Sequence, residues 1–126
     1  MKILTVLGIV PVLLAMSAAA EAACVYPQAP QSLPNGSKAA EADMKTANAQ
    51  VKEYSKSVQE VYLPCLEQEK NEAVAALDST DAEYAAKKAS IESIQAKKHN
   101  AALDELQALA TRWNSEIRAF KEKAAK

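Results

Sequence analysis

Residues 44–66 read MKTANAQVKEYSKSVQEVYLPCL, and their spacing decides the fold. Met44, Ala47, Val51, Tyr54, Val58, Val61 and Cys65 recur at steps of three and four, which lays one apolar stripe along an α-helix. Tyr62, Leu66, Ala73, Val74 and Leu77 continue that stripe with a small drift. Upstream, Pro34-Asn35-Gly36 is a turn signal and Ser37 reads as the helix N-cap. Downstream, Asp78-Ser79-Thr80-Asp81 strings together poor helix formers, and Thr80 to Glu83 has the spacing of a capping box. The pattern predicts helices over about 37–77 and 80–124. The stripe of the second is Leu103, Leu106, Ala110, Trp113, Ile117 and Phe120, thinning upstream to Ala82, Ala85, Ala89, Ile91, Ile94 and Ala96, with lysines in its last turns facing the negative helix end. Each helix is roughly 60 Å long, and a short connection between matched lengths implies an all-α, antiparallel helical hairpin. A three-helix bundle with a second break near His99-Asn100 is the alternative, although neither proline nor glycine marks that break. Pro64 cannot donate to the carbonyl of Glu60, so a kink is expected there.

The N-terminus carries a different signal. Lys2 precedes an apolar run from Ile3 to Met16, followed by the small-residue stretch Ser17-Ala18-Ala19-Ala20-Glu21-Ala22. That is the pattern of a cleaved secretory signal peptide over residues 1–22, with cutting after Ala20 or Ala22. The run is short for a bilayer and contains Pro11, so no stable membrane insertion is expected after cleavage. Export predicts the periplasm, or the extracellular space as the alternative.

An oxidising compartment gives the two cysteines a role: one disulfide between Cys24 and Cys65, an intermolecular pair being the competing arrangement. Prolines 27, 30 and 34 keep residues 23–36 extended, while residues 37–126 form the helical domain. Extended, Cys24 to Ser37 spans roughly 40 Å. Ser37 to Cys65 along a helix spans roughly 42 Å. The lengths match, so the strip can run back along the first helix with Val25, Tyr26 and Leu33 packed as a third layer.

Composition excludes several functions. Beyond the signal, Leu, Ile, Val and Phe make up about 15% of residues, which implies a thin core. Acidic and basic residues nearly cancel, at 16 against 15, giving no electrostatic reason for nucleic-acid binding. His99 is the only histidine and has no free cysteine to join it, so no metal site is expected. The paired carboxylates, such as Glu67 and Glu69 or Asp104 and Glu105, alternate with lysines at helical spacing and read as a solvated face. Lys87-Lys88 and Lys97-Lys98 lack arginine or interleaved aromatics and read as solubilising. No glycine-rich loop or nucleophile motif is present, so neither an enzyme nor a cofactor is expected. Tyr54, Tyr62, Trp113 and Phe120 fall on the stripes, and a two-helix body that leaves them partly exposed would offer them as an interaction surface.

Cys24-x-x-Pro27-x-x-Pro30, Leu33-Pro34-x-Gly36, Val51-x-x-Tyr54 and Tyr62-Leu63-x-Cys65-Leu66 together resemble a family of small exported proteobacterial helical proteins of unknown function. The similarity covers residues 24–66, with Pro64 standing where a more helix-friendly residue is expected, and the second helix shows only heptad character. The resemblance implies an envelope protein with a paired cysteine and a helical body, and carries no catalytic residues with it. The expected function is protein–protein interaction or self-association, through an unknown protein partner or as a homo-oligomer. A chaperone-like module sequestering unfolded chains or an apolar ligand is the alternative.

Overall fold

The computed structural model describes residues 23–126; the signal peptide expected over residues 1–22 lies outside them. The described chain is an all-α antiparallel hairpin with an extended strip on one side. The first long helix comprises α1 (Glu41–Lys56), a π-helical turn (Ser57–Tyr62) and α2 (Leu63–Ala75). The second is α3 (Tyr84–Ala124), which runs through His99 and Asn100 without a break and so removes the three-helix alternative. Cys24 and Cys65 are joined by a disulfide, with their Cα atoms 5.8 Å apart.

Both helices start later than the sequence predicts, for one reason: aspartate and asparagine side chains capture the preceding turns. Asn35 Oδ1 accepts from the Ser37 N–H at 3.0 Å and from its hydroxyl at 2.6 Å. Ser37 is thereby committed to a local turn and does not cap, and α1 begins only after Ala40, which is extended. Likewise Asp78 Oδ1 accepts from the N–H and hydroxyl of Thr80, and Asp81 Oδ1 from the Glu83 N–H. The expected Thr80–Glu83 box is replaced by these turns, and α3 starts at Tyr84.

Pro64 neither breaks the helix nor sits in a plain α-helical ladder. The turn before it widens, and the Leu63 N–H donates five residues back to Val58 O. This rearrangement changes which residues face inward. The buried stripe runs Met44, Ala47, Val51, Tyr54, Val58, Tyr62 and Leu66, closing with three steps of four. Val61, expected on the stripe, is 67% exposed. On α3 the buried positions are Gln95, Ala102, Leu109 and Trp113, with Leu106 half-buried; Leu103 and Ala110, expected inside, face out.

The strip follows the predicted course. Tyr26, Ala29 and Leu33 pack on the helical core, whereas Val25 is 85% exposed and takes no part in that layer. At its far end Gly36 is buried against α3. Its N–H donates to Glu116 Oε2 at 2.7 Å, and a Cβ there would lie 1.9 Å from the Glu116 carbonyl oxygen. No helix among the described residues is long and apolar enough to cross a membrane.

Candidate interaction surface

A hairpin of two helices has two seams, and in this chain they differ. The strip fills one. Tyr26 enters between the helices, its ring edge-on to Tyr62 at 4.9 Å and to Tyr54 at 6.4 Å between centroids. Its hydroxyl donates to Glu105 Oε2 at 2.9 Å and lies 2.5 Å from the Tyr54 hydroxyl. A carboxylate can only accept, so the proton order along the chain is Tyr54 to Tyr26 to Glu105. Burial pushes the Tyr26 phenol up from its ordinary value, and its bonds to Tyr54 and Glu105 add to the shift. Burial raises Tyr54 as well.

Beside the disulfide, Glu69 Oε1 accepts from Gln95 Nε2 and Lys98 Nζ, each at 3.0 Å. Those two donors hold the Glu69 carboxyl below the usual carboxylate range. On α3, then, Lys98, Glu105 and Glu116 all engage the strip side or its anchor, at spacings that keep them on one face.

The opposite seam has no strip over it. Two clefts open there. One, of about 390 Å³, lies between α2 and α3 and is lined by Leu63, Leu66, Glu67, Glu92, Ala96 and His99 among others. The second, of about 290 Å³, lies at the helix ends and is lined by Met44, Asn48, Trp113, Ile117, Phe120 and Lys121 among others. Between them, Leu103 stands 39% exposed.

The four aromatics nominated as a surface are divided by this arrangement. Tyr54, Tyr62 and Trp113 are buried, at 4%, 8% and 5% exposure. The first two are covered by the strip, and the Trp113 indole N–H donates to Asn48 Oδ1 at 3.2 Å. Phe120 is half-buried, and both it and Trp113 line the cleft at the helix ends on the open seam. Of the lysine pairs, Lys87 bonds Asp81 and Lys88 pairs with Glu92 nearby in the chain, Lys98 bridges to Glu69 on α2, and Lys97 makes no ion pair among the described residues.

Sequence reasoning missed a different set. Ala89, Ala96, Leu103, Ala110, Ile117 and Ala124 recur every seven residues along α3, all apolar. Ala96 and Ile117 line the two clefts, so this row borders the open seam. Five of the six are exposed and Ile117 is half-buried. The seven-residue repeat is countable in the sequence; what hides it is that Ala89, Ala96, Leu103, Ala110 and Ile117 also fall on the stripe expected to face inward. Comparison with protein-family models, curated proteins and solved structures finds no match to this chain.

Proposed function

We propose that this chain is an exported, non-catalytic helical module of the bacterial periplasm that works by protein–protein contact through the open seam of its hairpin. One observation carries the reading: an unbroken seven-residue apolar row on α3, with Leu103 39% exposed at its middle, on the side that the strip leaves uncovered. A chain with so little apolar residue to spend would gain by burying that row inside, and instead displays it. The disulfide supports the export half of the reading, because such bonds persist in oxidising compartments.

The test is site-specific photo-crosslinking in a bacterial host expressing the full chain. A photo-reactive residue at Leu103 should yield a discrete protein adduct from the periplasmic fraction, while the same residue at the neighbouring Asp104 should not. Mass analysis of the product should show a processed chain beginning just before Cys24. Retention in the cytoplasm, or equal and diffuse labelling at both positions, would overturn the proposal.

A further inference from the structure

The occupant of the open seam can be read from the row itself, given the interaction reading above. We infer that it is a second copy of this chain, docked antiparallel along α3 about a two-fold axis passing between Leu106 and Gln107. The row Ala89, Ala96, Leu103, Ala110, Ile117 and Ala124 keeps a strict seven-residue period, which holds one line of an α-helix against a partner helix of the same kind. Its length is roughly 50 Å, nearly that of α3.

The pattern of sizes fixes the register. In this arrangement Leu103 faces Ala110 of the second copy, Ile117 faces its Ala96, and Ala89 faces its Ala124. Every large side chain meets a small one, and the helices can approach closely. The same register sets Glu92 opposite Lys121 of the second copy, twice by symmetry. Lys121 makes no ion pair among the described residues, and Glu92 has only a 3.9 Å contact with Lys88. Each residue also lines one of the two clefts, Glu92 the α2–α3 cleft and Lys121 the one at the helix ends. Sliding the second copy so that Leu103 meets Leu103 moves Glu92 opposite Asn114 and loses the charge pair. Sliding it the other way sets Leu103 against Ile117, large on large. A parallel pairing sets Lys121 on Lys121 and Glu92 on Glu92. Charge and size therefore select one antiparallel register. In it, two hairpins lie side by side as a bundle of four long helices, an arrangement with ample precedent in helix packing.

Sedimentation equilibrium of the exported, oxidised chain tests the inference. A dimer is expected, and Leu103→Glu should convert it to a monomer with unchanged helicity, because Leu103 is already outside the core. Register is tested by charge. Glu92→Lys and Lys121→Glu should each weaken dimerisation roughly tenfold, and the two together in one chain should restore it. A chain that stays monomeric across the concentration range, or a dimer indifferent to Leu103→Glu, would overturn the inference. So would a double charge swap that fails to rescue. A monomeric chain whose Leu103 still crosslinks to one defined, different protein would refute the dimer while leaving the interaction reading standing.

Discussion

Gly36 shows how much one missing methyl group can decide. Its φ is not positive, so glycine is not needed there for the backbone's conformation. It is needed because the Glu116 carbonyl stands where a Cβ would go, 1.9 Å away. Gly36→Ala would ordinarily stabilise by about 0.4–1 kcal/mol through the unfolded chain. Here the obstacle is helix backbone, which cannot step aside as a side chain can. The strip must lift, and the Gly36 bond to Glu116 stretches with it. We expect a net loss of roughly 1–3 kcal/mol, read as a lower Tm in thermal melts. An unchanged Tm would mean that the strip does not seat on α3 here. Tyr26 makes a pH-dependent contribution. The fold raises its pKa, so its stabilisation is fully present below the ordinary phenol value of 10.0 and is lost as pH climbs above it. Wild type should therefore lose Tm between neutral pH and about pH 11. Tyr26→Phe should start about 1 kcal/mol lower at neutral pH and lose less over the same range. Parallel pH curves for the two proteins would show that the buried hydroxyl does not titrate as inferred.

The helices show what periodicity reveals and what it conceals. Met44 through Val58 were legible because one period and one partner govern them, and the strip's course was legible because two lengths had to agree. Helix starts were not, since Asn35 and Asp78 engage the N–H and hydroxyl of the expected caps Ser37 and Thr80, and Asp81 takes the Glu83 N–H that Thr80 would have accepted. Tyr62 and Leu66 were legible as the drift of the stripe, but the exposure of Val61 was not, because it depends on the widened turn ahead of Pro64. Pro64 supplies the motive for that turn: with no N–H to offer, it tolerates a ladder that is already open. On α3, the apolar spacing places Leu103 and Ala110 inside only if one stripe serves one partner. The structure divides the apolar positions between the core and the open seam. This account of Pro64 predicts a small effect on stability. A proline forced into an α-helical interior costs about 3 kcal/mol, so Pro64→Ala would recover that much if the ladder were strained. We expect a change below about 1 kcal/mol in denaturant melts, because the wide turn also serves to bring Tyr62 and Leu66 inward. A gain near the full value would show that the turn does not relieve the proline.

At the scale of the whole molecule, the strip is the element that makes a two-helix chain stable. Two helices with few large apolar residues bury little, and the strip covers one seam with Tyr26, Ala29 and Leu33. Its own extended backbone contributes almost no helical or sheet hydrogen bonding, so its attachment depends on the packing of Tyr26 and on its two ends. At one end is the Gly36 contact with Glu116; at the other is the disulfide, which closes a loop over a sequence separation of 41 residues. In the chain-entropy model that closure is worth on the order of 4 kcal/mol, a large share of the 5–15 kcal/mol typical of a domain. Replacing both cysteines, Cys24→Ser with Cys65→Ser, should therefore lower Tm steeply while avoiding a stray thiol. The loss should be uneven. Residues 23–33 should become the first site of proteolysis, since only the Tyr26 packing and the Gly36 end still hold them, whereas α3 should stay protected until global unfolding. The strip and the proposed dimer face lie on opposite seams, so the double variant should still associate under conditions where its helices remain folded. Loss of association ahead of helix melting would show that the two seams are coupled through the core between them.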